Sequence, residues 1–118
     1  MDLTSVKEVF EFLDKNSDKR CFLYFVASPD ETGESWCPDC RKAKPFVESA
    51  IKYLPEDAVF ITVHTGSKPV WKDQANEFRN EPKLNVNNVP TLMEFGKSNR
   101  LIEDQLFEVE PIIKFLTQ

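Results

Sequence analysis

Two continuous apolar runs, CFLYFVA at Cys21–Ala27 and AVFITVH at Ala58–His64, set the fold. The first is rich in aromatics, too short for a core helix and apolar on both faces, which is the pattern of a strand buried in the middle of a sheet. The second reads as another buried strand. Between them Cys40, Ala43, Val47, Ala50, Ile51 and Leu54 recur at the spacing of one helical face, which predicts an amphipathic helix over Pro38–Leu54. Strand, helix, strand in that order closes through a right-handed crossover with the two strands parallel. Pro38 suits the first helical position, where the missing amide has no partner to lose. Pro45 removes one backbone hydrogen bond inside the helix, and a kink rather than a break is expected because the apolar period continues beyond it. Pro55 ends the pattern.

The remaining segments attach to this unit. SVKE at Ser5–Glu8 offers a capping box, and Val6, Val9, Phe10 and Leu13 continue it as a helix over residues 5–15. Only MDL precedes that helix, so an initial strand is expected to be short or absent. SPDETGES, Ser28–Ser35, has the composition of a loop. A helix is predicted over Pro69–Arg79, with Trp71, Ala75 and Phe78 on one face. TLMEF and RLIED flank the turn GKSN as an antiparallel hairpin, and Val109, Ile112, Ile113 and Leu116 mark a last helix. With 118 residues, the chain reads as a single domain over 1–118. The expected class is α/β, with a central mixed sheet of four to five strands and helices on both faces.

Charge and cysteine content narrow the function. A net charge of −5 without any run of Lys or Arg argues against nucleic acid. No stretch reaches about 18 apolar residues, and the N-terminus lacks the basic start and apolar core of a leader, so no membrane role and a cytosolic setting are expected. Three cysteines, an odd number, suit a reducing compartment better than a disulfide scaffold.

An α/β sheet binds ligands beyond the C-terminal ends of its parallel strands, and SWCPDC, Ser35–Cys40, lies there. Cys37 is placed at a helix N-terminus, where unpaired amides and partial positive charge favour a thiolate. Cys40, one turn on, is close enough to close a disulfide. Cys37 as nucleophile and Cys40 as resolving thiol would carry out disulfide exchange. Zinc is the rival for this pair, since three Cys and one His make four ligands on paper. Cys21 opens its strand while the pair follows the other end, a separation of about 20 Å. No metal is therefore expected, and Cys21 reads as a small buried hydrophobe. His64 is assigned no role, Trp36 reads as a lip of the substrate groove, Trp71 as core, and Arg41–Lys44 as a solvated helix face.

A second motif, NVPT at Asn88–Thr91, stands before the first hairpin strand. Together with the W-C-x-x-C helix start it resembles the thioredoxin superfamily. SWCPDC, the run from Gly66 to Arg79 and VPTL resemble, along almost the whole chain, the branch formed by its small cytosolic thioredoxin-related proteins. The resemblance implies that Val89–Pro90 is a cis bond facing Cys37, with the Val89 backbone holding substrate as an added strand. Trp36, Pro38, Val89 and Pro90 then form the substrate-binding surface. It further implies a monomeric disulfide reductase without a bound cofactor, recharged by NADPH through thioredoxin reductase and acting on small disulfides such as cystine and on selected protein disulfides. That branch is also linked to dynein light chain, so a redox-sensitive binding module is the competing reading. Two features depart from ordinary thioredoxins. Tyr24 stands where a buried aspartate would accept the Cys40 proton, leaving Asp39 as the expected acceptor. The Ser28–Ser35 loop is longer and carries Asp30, Glu31 and Glu34, a wall expected to favour small disulfides.

Overall fold

The computed structural model describes residues 2–118. Its sheet has five strands: β1 (Asp2–Leu3), β2 (Arg20–Val26), β3 (Ala58–His64), β4 (Thr91–Glu94) and β5 (Arg100–Ile102). They lie in the order β1-β3-β2-β4-β5. β3 is parallel to both β1 and β2, whereas β4 is antiparallel to β2 and β5 to β4. The helices are α1 (Val6–Lys15), α2 (Pro38–Ile51), α3 (Lys68–Lys72), α4 (Glu77–Asn80) and α5 (Val109–Thr117), with a 3-10 turn at Glu103–Leu106. The initial strand thus exists, though only as two residues on the sheet edge.

β2 is the centre, and its residues from Cys21 to Val26 are all buried. Alternate side chains leave it on opposite faces. Phe22 meets Phe115 of α5 edge-on with ring centres 6.1 Å apart, and Tyr24 meets Phe60 of β3 at 5.9 Å on that same side. On the other side Phe25 meets Phe78 of α4 at 5.9 Å. Helices therefore cover both faces, and each fully buried phenylalanine contributes about 1.5–3 kcal/mol through removal from water. At the N-terminal end of β2, Arg20 holds Glu94 of β4 through two hydrogen bonds of 3.0 Å, a planar pairing that registers the antiparallel edge against the centre.

Local chemistry explains where the elements begin and end. Ser5 caps α1 by accepting from the Glu8 amide at 3.1 Å, while the Glu8 carboxylate accepts from the amide of Thr4 at 2.7 Å, one residue ahead of the expected box. α2 runs unbroken through Pro45 but stops at Ile51, three residues short of the expected Leu54. The amides of Tyr53 and Leu54 bond to Ala50 and Ile51, a tightening over three residues that precedes Pro55, whose ring disfavours helical geometry at residue 54.

The helix expected over Pro69–Arg79 is instead two short helices. Asp73 and Asn76 offer the backbone local partners that compete with helical ones. The Asp73 carboxylate accepts from the Ala75 amide at 2.9 Å, and the Asn76 side chain accepts from the Phe78 amide at 2.9 Å. Trp71 and Phe78 still reach the core, but Ala75 is exposed. Asn76 is itself buried, and its amide donates to the carbonyls of Thr65 at 3.0 Å and Val70 at 3.1 Å. It ties the end of β3 to both short helices. Asn76→Ala leaves three backbone groups without these partners and should lower the unfolding free energy by roughly 2–4 kcal/mol. Urea unfolding measures it, and a loss under about 0.5 kcal/mol, the usual range of a surface substitution, would show that the tie is dispensable.

Candidate active site

The parallel register of β2 with β3, Arg20 opposite Ala58 through Val26 opposite His64, ends both strands at the same edge. Past that edge the chain enters the Ser28–Ser35 loop and then α2. Cys37 is the residue that caps α2: its backbone is extended (φ −89°, ψ 119°), and its sulfur accepts from the Cys40 amide at 3.4 Å. Pro38 occupies the next position, so the helix begins without wasting an amide. Across the groove the Cys37 sulfur lies 3.8 Å from the carbonyl oxygen of Val89, and the Val89–Pro90 bond is cis. The Thr91 hydroxyl holds the loop that delivers Val89 by donating to the Asn88 carbonyl at 2.7 Å.

The two sulfurs have opposite electrostatics. The Cys40 thiol donates to Cys37, and the amides of Cys40 and Asp39 also point at that sulfur, so Cys37 is held at about 6 in spite of burial and the opposing Asp39 carboxylate. Cys40 is only 4% exposed, and its thiol is pushed far above its ordinary range, first by donating to Cys37 and then by burial. The Ala27 amide reaches its sulfur at 3.5 Å. At neutral pH these effects favour the thiolate of Cys37 and the thiol of Cys40, and no disulfide joins the two. The charge of Asp39 bears on Cys37, and among the described residues its carboxylate has no hydrogen bond to Cys40.

The loop before the pair is ordered by its own polar groups. Asp30 accepts from the Thr32 amide at 2.8 Å and from its hydroxyl, contacts that hold the Asp30 carboxyl below its usual range. Pro29 and Ser35 form an antiparallel bridge, so Asp30, Glu31 and Glu34 are displayed outward beside the site. Arg41 of α2 donates to the Ser35 carbonyl at 2.6 Å. Trp36 is half-buried, with its indole nitrogen donating to the Gly66 carbonyl at 3.0 Å.

Gly66 opens one of the motifs, but its part in holding the site shows only in the structure. Its carbonyl accepts from both Ser28 and Trp36, its amide donates to the Ser28 hydroxyl at 2.9 Å, and its φ is +122°. A Cβ there would stand 2.6 Å from Val70 Cγ1. A glycine two residues past the end of a strand was the available signal. His64, given no role from sequence, turns its Nε2 to Asp2 at 2.7 Å. Cys21 sits at the opposite end of β2 against the carbonyls of Asn16 and Lys19, well away from the pair.

Comparison with known proteins agrees with this arrangement. Residues 3–118 match the family model described as thioredoxin domain-containing protein 17-like, thioredoxin domain. Thioredoxin domain-containing protein 17 of Danio rerio is 40% identical over 111 residues, covering 92% of this chain and 89% of that protein. The Mus musculus protein of the same name is 43% identical over 100 residues, covering 81% and 80%. Among solved structures, thioredoxin O1 from Arabidopsis thaliana in its oxidized state superposes with a TM-score of 0.62 at 21% identity, over 98% of this chain and 97% of that one. That likeness places the chain in the thioredoxin fold.

Alkylation of Cys37 by iodoacetamide should accelerate as pH rises through about 6 and level off above it, because the thiolate is the reacting form. Asp39→Asn removes the negative charge that opposes the thiolate and should move this midpoint downward. An unchanged midpoint in Asp39→Asn would show that its carboxylate does not act on the sulfur.

Proposed function

This chain belongs to the thioredoxin domain-containing protein 17-like family, and from that premise we propose that it is a disulfide reductase in which Cys37 attacks and Cys40 resolves. The observation that carries the proposal is geometric: the Cys37 sulfur caps α2, accepting from the Cys40 amide at 3.4 Å with the buried Cys40 one helical turn on, and lies 3.8 Å from the carbonyl oxygen of Val89 before the cis Pro90. The Cys37 thiolate attacks one sulfur of a substrate disulfide, and the other sulfur leaves as a thiolate that takes a proton from solvent. The mixed disulfide is then broken by Cys40, whose sulfur bonds to Cys37 as the second substrate thiol departs. Two electrons pass from the dithiol to the substrate, and the chain is left with a Cys37–Cys40 disulfide.

Substrate selection follows from the walls of the groove. The Val89 carbonyl beside Cys37 offers an acceptor to an extended substrate backbone, while Pro38 and the half-buried Trp36 supply apolar surface. The outward carboxylates of Asp30, Glu31 and Glu34 repel acidic protein partners and leave room for small disulfides such as cystine and for selected protein disulfides. In this reading the oxidised chain is recharged by NADPH through thioredoxin reductase, works in the cytosol as a monomer and binds no metal or resident cofactor. No helix among the described residues is long and apolar enough to cross a membrane.

NADPH consumption in the presence of thioredoxin reductase should be faster with cystine than with insulin at equal disulfide concentration. Cys40→Ser should accumulate mixed disulfides through Cys37, since attack persists and release does not. Replacing both cysteines by serine should abolish turnover and capture alike; full retention of partner binding, for example to dynein light chain, with no turnover in the unaltered chain, would instead identify a binding module.

A further inference from the structure

The second chemical step has a proton to dispose of. Cys40 is buried, which disfavours its ionised form, and its sulfur attacks only as the thiolate. Behind it a cavity of about 450 Å³ opens between α2 and the β1 side of the sheet, lined by Cys40, Tyr24, Thr62, His64 and Glu48 among others. Two buried polar atoms among these residues have no protein hydrogen-bond partner, the Tyr24 hydroxyl and His64 Nδ1. Tyr24 is 5% exposed, so its hydroxyl has been taken almost wholly out of bulk water. Tyr24 and His64 share a face of the sheet: Tyr24 pairs with Thr62, Val26 with His64, and Asp2 with Thr62.

The His64 ring is oriented by its partner. Nε2 lies 2.7 Å from Asp2 Oδ2, and a carboxylate accepts only, so Nε2 carries a proton, and in the tautomer where that is the ring's single proton Nδ1 presents a lone pair. The charged and titratable groups around it are Asp2 from β1, Tyr24 from β2, Glu34 from the loop, and Arg41, Lys44 and Glu48 from α2. Asp73 and Glu77 line a second groove on its other side. Asp2 alone bonds to the ring, and it would stabilise the imidazolium that forms when Nδ1 takes a proton.

Resting on the reductase reading above, we propose that His64 accepts the proton of Cys40 during resolution, through the Tyr24 hydroxyl and solvent admitted along the polar side of this cavity, where Thr62, Glu48 and Asp2 stand. The Cys40 S–H bond breaks and its proton passes by this route to Nδ1. The Cys40 sulfur bonds to Cys37, the bond from Cys37 to the substrate sulfur breaks, and the departing thiolate is protonated by solvent. His64 then returns its proton to solvent at the cavity mouth. The net change is a mixed disulfide plus one thiol giving the Cys37–Cys40 disulfide plus one substrate thiol. His64 acts at a distance from the reacting sulfurs and positions the proton rather than the substrate.

A stopped-flow reaction with dithiobis-nitrobenzoate separates the two steps, because attack by Cys37 frees one coloured thiol and resolution by Cys40 frees a second. In the mixed disulfide Cys37 no longer titrates, so the pH dependence of the second release reports Cys40 and its acceptor. His64→Gln and Tyr24→Phe should each slow the second release, by on the order of 100-fold for His64→Gln, while the first release stays unchanged. His64→Gln should also alter the pH dependence of the second release, which a merely structural role would not do. Tyr24→Phe keeps the ring against Phe60 and so guards against a folding effect. A second release with unaltered rate and pH dependence in both variants overturns the route, as does the same slowing produced by Glu48→Gln alone. Failure of the unaltered chain to give a first release would overturn the reductase reading, and the route with it.

Discussion

The hydrogen bond from the Cys40 amide to the Cys37 sulfur is the contact on which the site depends. It serves the helix first, because the opening turn of α2 has amides that no carbonyl can meet, and a side chain must meet them. In most helices that side chain is a hydroxyl or carboxylate. Here it is sulfur, so the bond that satisfies a backbone amide also adds to the larger effect of the Cys40 thiol in favouring the Cys37 anion. Pro38 reinforces it by starting the helix at the required angle, and the extended backbone of Cys37 aims the sulfur across the groove at Val89.

Much of this was legible without coordinates. β3 falls on the residues read from its apolar run and β2 within one, because a central strand apolar on both faces has no competing interpretation in so short a segment. The hairpin and last helix were equally plain. Trp71 and Phe78 misled, since both are core residues at helical spacing, yet the polar side chains of Asp73 and Asn76 between them redirect the backbone. Apolar period alone does not register such a capture. The Cys37–Cys40 spacing and the Val89–Pro90 motif pointed to residues that the fold brings together, with the Cys37 sulfur 3.8 Å from the Val89 carbonyl oxygen. The contributions of Gly66, Asn76 and His64 were hidden, because each depends on groups in other elements: Trp36 and Ser28 for the glycine, Thr65 past β3 and Val70 of α3 for the asparagine, Asp2 of β1 for the histidine.

These hidden residues share a purpose. The C-terminal ends of β2 and β3 would separate if left to solvent, and Thr65 closes them by donating both its amide, at 2.9 Å, and its hydroxyl, at 3.1 Å, to the Val26 carbonyl. Gly66 extends that closure to Ser28 and Trp36, and Asn76 anchors it from below. The platform under the sulfurs is thus assembled from backbone groups and a few short polar side chains, and Ser28 at the start of the acidic loop and Ser35 at its end take part in it, accepting from the amides of Gly66 and Cys37.

A sulfur that caps a helix as an anion is also a sulfur that holds its electrons more firmly. Whatever favours the thiolate favours the dithiol over the disulfide, and for a two-electron couple each 1.4 kcal/mol of that preference raises the potential by about 30 mV. The contacts that favour the Cys37 anion therefore raise the potential of the pair, and Asp39, by unsettling the anion, offsets part of that rise. Ionisation and thermodynamic push are set against each other within one turn of α2.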